Sequence, residues 1–386
     1  MTEKNTGKNI VIFSDGTGQE GGVRQNTNVY RLFNMIEDGS KDQIAYYDEG
    51  LGTIGNKLLG NVAGFGISEN ILDCYRFISD NHQWGDRVFL FGFSRGATTV
   101  RSLSGFISEF GLLPNSRPKL IDRAYEIYRM STRTPSKKAR KEEKKKQFLK
   151  LNRSSHCDIK FLGVWDTVAA LGLPIKMINA LLDRIPYFKH SFHNLELASS
   201  VHHGYHALSI DDDRRIFHPT VWHTKDREGK SLLNPIALDP IKNQLPGQEK
   251  SFQTVRQVWF CGSHTDVGGG YESKGISDIP LAWMFDMAME HGLKRYDFHP
   301  VEVKQDIKAK IHNPRNSLPA RIIYRQASRY WDVVRCGRPI IHDSVLERKE
   351  VDDSYDPWIL KDFREGEYEI EPWGTRELED YSYLEH

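Results

Sequence analysis

Cysteine is scarce and scattered. Cys74, Cys157, Cys261 and Cys336 are the four in the chain, and no two form a C-x-x-C pair. That spacing excludes a disulfide framework or a cysteine-ligated zinc site and suits separate, reduced thiols. Excess charge is also missing: 53 Lys and Arg against 52 Asp and Glu leave a net charge of +1, so no global basic field points to nucleic acid. No apolar run is long enough to span a bilayer, and mean hydropathy is −0.56. The polar opening Met1-Thr2-Glu3-Lys4-Asn5 lacks the apolar centre of a secretory leader. The expectation is a soluble protein made in the cytoplasm, with export that needs no cleaved signal left open. There is no H-E-x-x-H motif. The close histidines His202, His203 and His206, and His218 with His223, are not set against a run of carboxylates, so neither a metal nor another cofactor is expected.

What is present is enough apolar residue to build a large core. Of 386 residues 39% are hydrophobic and 11% aromatic, which fits one large domain with additions. Five short apolar runs read as strands, at 9–13, 43–47, 88–91, 159–165 and 255–260. Ile71, Leu72, Tyr75, Phe77 and Ile78 carry helical spacing between the second and third. Strands alternating with helices predict an α/β fold, a mostly parallel sheet covered on both faces. The predicted core domain covers 1–290, interrupted by insertions at about 117–156 and 172–250, with 291–386 as a C-terminal extension packed on it. Residues 133–153 hold ten Lys and Arg and two Glu. This run reads either as a solvated helix or as a patch drawn to an anionic membrane surface. Ile175, Met177, Ile178, Leu181, Leu182 and Ile185 form an amphipathic stripe that packs on the core or caps a pocket.

The strongest local signal is Gly92-Phe93-Ser94-Arg95-Gly96. The apolar run Val88-Phe89-Leu90-Phe91 precedes it, and Ala97, Val100, Leu103, Phe106 and Ile107 follow at helical spacing. Strand, G-x-S-x-G and helix together make a nucleophile elbow, a tight turn that lifts a serine hydroxyl above the sheet. Such a serine needs a base, and the base needs a carboxylate to fix its tautomer. Two later loops supply candidates in the usual order of acid and then histidine. Asp166 follows the apolar run ending at Trp165, where it serves as the acid or as a helix cap; Asp211, Asp212 and Asp213 are its rivals. His264 follows Phe260 in Cys261-Gly262-Ser263-His264-Thr265-Asp266, before three glycines. It is the candidate base, with His342 as the alternative and Asp266 as a supporting group or cap.

An oxyanion hole requires backbone donors. Arg95 N–H is one, and the loop Ser14-Asp15-Gly16-Thr17-Gly18 supplies the other, at Gly16 or Thr17. That loop also reads as a plain Asp-Gly turn or a phosphate cradle, although it lacks the Lys-Ser/Thr ending of a P-loop.

Six blocks in one order carry a family resemblance. They are Phe13-Ser14-Asp15-Gly16-Thr17 with Asn26-Thr27-Asn28-Val29; Tyr47-Asp48-Glu49-Gly50-Leu51-Gly52; Gly92-Phe93-Ser94-Arg95-Gly96-Ala97; and Val164-Trp165-Asp166-Thr167-Val168. His206-Ala207-Leu208-Ser209-Ile210-Asp211 and Val258-Trp259-Phe260 through Gly268-Gly269-Gly270-Tyr271 complete the set. Over residues 8–290 the chain resembles an α/β-hydrolase family of unknown function whose best-understood relatives are phospholipase effectors of bacterial type VI secretion. One departure is Ser14 directly before Asp15, where such relatives tend to carry Cys or Phe. The resemblance implies an α/β-hydrolase-like fold and a Ser-Asp-His hydrolase acting on a lipid acyl ester, with a secretion or immunity partner. Two other readings remain from the residues: a carboxylesterase or thioesterase on a small metabolite, and a hydrolase-fold binding protein without turnover.

Overall fold

The computed structural model describes residues 7–16, 22, 25–50, 62–168, 195–236, 252–296 and 301–374. They form an α/β fold around an eight-stranded sheet. Its strands are β1 (Asn9–Ser14), β2 (Gln43–Asp48), β3 (Arg87–Phe93), β4 (Ile159–Trp165), β5 (Val201–Ser209), β6 (Thr254–Phe260), β7 (Ile340–His342) and β8 (Glu369–Glu371). Their spatial order is β2-β1-β3-β4-β5-β6-β7-β8, and every pairing is parallel. Strands buried on both faces read as continuous apolar runs, which is why β1, β3 and β4 were legible.

Alternate residues feed two cores. Ile10, Ile12, Val88 and Leu90 join the cluster that holds residues of α2 (Val62–Asn81) and α3 (Arg95–Phe110). Val11, Phe13, Phe89 and Phe91 join the cluster built from α1 (Asn28–Met35) and a long helix at Gly275–Glu290. Helices thus cover both faces, as a parallel sheet requires. Thr27 caps α1 by accepting the Tyr30 N–H.

Two parts differ from the sequence expectation, and the lysine-rich run takes one of its two expected forms, a helix. The segment predicted as an insertion at 172–250 contains β5, a central strand between β4 and β6. Its sequence, Val-His-His-Gly-Tyr-His-Ala-Leu-Ser, interrupts the apolar run with histidines and so hides it. The C-terminal region does not merely pack on the sheet but extends it, through β7 and β8. Each is three residues long, too short for any periodicity to show. The lysine-rich run folds as α5 (Pro135–Leu151), after α4 (Pro118–Tyr128). Its Lys141 pairs with Glu109 at 3.0 Å, and Phe148 packs edge-on against Phe110 with ring centroids 5.7 Å apart. Both anchors lie at the end of α3 remote from Ser94. The amphipathic stripe at 175–185 lies outside the described residues. Among those described, no helix is long and apolar enough to cross a membrane.

Candidate active site

Ser94 sits between β3 and α3 with φ +56° and ψ −114°, a left-handed position for a non-glycine residue. Such strain costs on the order of 1–3 kcal/mol and persists only where surroundings impose it. Here they do. A Cβ on Gly92 would lie 2.6 Å from the Gly96 backbone, and one on Gly96 would lie 1.9 Å from the Ser14 carbonyl oxygen. Ser94 N–H also donates to the Trp165 carbonyl at 3.1 Å. That bond ties the elbow to the end of β4, where Asp166 follows.

The short helix α6 (His264–Gly268) begins just after β6. A capping box between Ser263 and Asp266 holds its first turn. His264 N–H, unpaired within the helix, donates to Asp212 Oδ2 at 3.1 Å. The imidazole is held between aromatic rings, Phe93 at 4.7 Å and Phe217 at 5.0 Å between centroids. Its Nε2 lies 2.9 Å from Ser94 Oγ and its Nδ1 lies 2.6 Å from Asp166 Oδ2. An imidazole so placed can accept the hydroxyl proton while its Nδ1–H stays on the carboxylate.

Asp166 is fully buried and has φ +36°. Its Oδ1 accepts the Ser209 N–H at 3.0 Å from the end of β5. Arg329, also buried, grips both carboxylate oxygens at 2.6 and 2.8 Å. Burial alone would push the Asp166 carboxyl up, but the Arg329 guanidinium and the hydrogen bonds from Arg329 and His264 hold it well below the usual carboxylate range. Arg329 escaped the sequence reading. It lies 163 positions from Asp166, in no motif and no strand.

The other sequence candidates take different places. His342 is buried with its ring stacked on Phe260 at 4.7 Å, its Nδ1 bonded to Ser344; it caps the helix Asp343–Val351 and is not joined to Ser94. Asp266 binds His312 Nδ1 at 2.6 Å. Among the rival acids, Asp212 pairs with Arg214 besides holding His264 N–H. Asp211 accepts the Gly262 N–H, and Asp213 pairs with Arg315. Gly16 N–H donates to Asp15 Oδ1 at 2.7 Å, and Asp15 Oδ2 accepts from Thr27 and Tyr47 hydroxyls. Thr17 lies outside the described residues. Arg95, the first residue of α3, is half-buried, and its N–H has no acceptor within the helix.

Burial pushes the Asp15 carboxyl up to about 6 against the hydrogen bonds from Thr27, Tyr47 and Gly16. A carboxyl raised on folding keeps its proton in the native state while the unfolded chain has lost it. Its contribution to stability is therefore full below the ordinary value of 3.8 and is lost as pH rises to about 6. Asp15→Asn is expected to flatten that limb. Urea midpoints measured between about pH 4 and pH 7 check this; an unchanged slope in the variant refutes it.

Among the described residues no group of three or more His, Cys, Asp or Glu is placed to hold a metal ion. A cavity of about 710 Å³, lined by Tyr30, Arg31, Lys274 and Asp278 among others, includes none of Ser94, Asp166 and His264.

The family model described as the type VI secretion system phospholipase effector Tle1-like catalytic domain matches residues 8–287. The chain is 30% identical over 239 residues to the uncharacterized protein YEL023C of Saccharomyces cerevisiae, covering 56% of this chain and 33% of that one. Among solved structures, an uncharacterized protein from Pseudomonas aeruginosa aligns with a TM-score of 0.40 at 17% identity, over 75% of this chain and 46% of that one. The Tle1 effector bound to the VgrG spike of a type VI secretion system aligns with a TM-score of 0.37 at 20% identity, over 69% and 52%. The chain thus spans about a third of the curated relative and about half of each solved chain.

Proposed function

We propose that this chain, which belongs to the family of type VI secretion Tle1-like phospholipase effector catalytic domains, is a serine hydrolase that cleaves an acyl ester of a phospholipid. The observation that carries the reading is the continuous path from Ser94 Oγ to His264 Nε2 at 2.9 Å and from His264 Nδ1 to Asp166 at 2.6 Å. Ser94 Oγ attacks the ester carbonyl while His264 takes its proton. Asp166 keeps Nδ1 protonated and stabilises the imidazolium. The oxyanion is received by the Arg95 N–H and by a donor of the 16–17 loop, Gly16 N–H serving only once its bond to Asp15 opens. His264 then protonates the leaving alcohol, and water releases the fatty acid by the same steps in reverse order.

Arg95 favours an anionic ester over a neutral one. Among the described residues its guanidinium has no hydrogen-bond or ion-pair partner, and burial alone pulls it down to about 10. A half-buried cation on the residue that follows Ser94 suits a phosphodiester headgroup. Arg95→Gln is expected to raise KM for phospholipid about tenfold, the loss of one charge-assisted hydrogen bond, and to affect a short neutral ester less. Equal losses on both substrates would refute the headgroup role.

The basic face of α5 is a separate matter. Its anchors sit at the far end of the 16-residue α3, about 22 Å from Ser94, so a lipid surface drawn to the 133–153 lysines is a proposal apart from the Ser94 site. A secretion partner of the kind that the solved Tle1 effector holds, and an immunity partner, rest on family membership alone.

The direct test is fluorophosphonate labelling read by mass spectrometry, beside fatty-acid release from phosphatidylglycerol vesicles. Labelling at Ser94 that is lost in His264→Ala, together with fatty-acid release, is the expected result. An inert Ser94 in the folded protein would leave a hydrolase-fold binding protein as the reading. Labelling without release from phospholipid would move the substrate to a small soluble ester.

A further inference from the structure

We infer that Arg329 is a positioning residue for the catalytic acid, so that the working active site extends beyond residue 287, where the family match ends. The inference rests on the Ser94–His264–Asp166 reading. An arginine has five N–H donors in a planar fork, and in Arg329 each has an acceptor. Nη1 donates to Asp166 Oδ1 and the Ser209 carbonyl, both at 2.6 Å. Nη2 donates to Asp166 Oδ2 at 2.8 Å and the Phe217 carbonyl at 2.9 Å. Nε donates to the Asp212 carbonyl at 3.1 Å.

Those acceptors are the parts that orient His264. Asp166 receives its Nδ1, Asp212 receives its backbone N–H, and the Phe217 ring packs against its imidazole. One buried guanidinium therefore registers the ends of β4 and β5 with the loop beside them. It also holds the carboxylate of a residue whose φ of +36° the chain would otherwise relax. Lysine has the charge but not the fork, and a point charge leaves the carboxylate free to rotate. Arg329 has no solvent-exposed side-chain surface and so cannot touch substrate. Its effect should fall on kcat and leave KM alone.

The test compares Arg329→Met, Arg329→Lys, Asp166→Asn and the Asp166→Asn/Arg329→Met double variant in the full chain, with near-UV circular dichroism to establish folding. Arg329→Met is expected to lower kcat about 100-fold, the scale of an ångström's misplacement, with KM within about twofold. Arg329→Lys, which keeps a cation in the buried site and guards against a misfolded variant, should lose about tenfold. In the Asp166→Asn background Arg329→Met should change kcat by less than about tenfold, well short of its loss in the wild type, because the carboxylate is the main acceptor they share. The downfield proton resonance of the His264–Asp166 hydrogen bond should be present in the wild type and shifted or lost in Arg329→Lys. Wild-type kcat and an unshifted resonance in folded Arg329→Lys overturn the inference. So does a full multiplicative loss in the double variant. Full activity in Asp166→Asn overturns it together with the triad reading, whereas activity lost there and kept in Arg329→Met overturns the inference alone.

Discussion

Ser94→Ala is expected to abolish fluorophosphonate labelling and to reduce kcat by about 10⁵- to 10⁶-fold, the scale measured when a serine nucleophile is removed from a working triad. The oxyanion donors and substrate contacts remain, so binding of the lipid should change little. The variant should also fold as well as the wild type, because alanine bears the same strain at φ +56°. Ser94→Gly separates the two consequences. Glycine adopts that backbone freely but loses more entropy on folding, and the balance is an expected gain of about 1 kcal/mol in unfolding free energy. Denaturant midpoints for the three proteins check the pair of statements. Residual turnover above about one part in a thousand in Ser94→Ala would remove the serine from the mechanism, and a Ser94→Gly less stable than wild type would refute stored strain at the elbow.

Asp166→Ala is expected to have the largest effect on stability. It removes the carboxylate from a fully buried Arg329 and leaves an uncompensated charge in the interior, a loss of about 3–5 kcal/mol. Asp166→Asn keeps the shape and one acceptor for the guanidinium. It should unfold later than Asp166→Ala while losing about 10⁴-fold in kcat, because the amide favours the wrong imidazole tautomer. The pH dependence has a definite sign. Asp166 is held below its ordinary 3.8 in the folded protein, so its contribution is full above that value and disappears as pH falls through the lower folded value. In Asp166→Asn that acid limb should be missing. Asp15, directly after β1, is raised rather than lowered and acts in the opposite direction. Urea unfolding followed by tryptophan fluorescence from about pH 2 to pH 7 distinguishes the two. An Asp166→Ala as stable as Asp166→Asn would mean that the Arg329 pair contributes nothing to the fold.

Ser94 and Asp166 stood out in sequence because each directly follows an apolar strand, and His264 because it comes four residues after one; in a parallel sheet all strands present their carboxyl ends on one side. The elbow glycines were legible for a steric reason that the Ser14 and Gly96 backbones bear out in detail. β5 was not, because histidines at 202, 203 and 206 break its apolar run even though the strand lies at the centre of the sheet. His342 was a reasonable rival in sequence, following an apolar run as His264 does. Its strand lies beyond β6, and its ring packs on Phe260 instead of meeting a serine.

By itself the amino-acid order determined the α/β class, the strand–turn–helix around Ser94 and the family, since those depend on local steric rules and on apolar runs that any neighbour would bury. Only the tertiary structure decided which carboxylate meets which histidine, and that Arg329 stands behind them. A charged side chain has no periodicity to announce its partner. Its place is set by desolvation: in the buried ends of β4 and β5, Asp166 is tolerated because a guanidinium from far along the chain meets both of its oxygens.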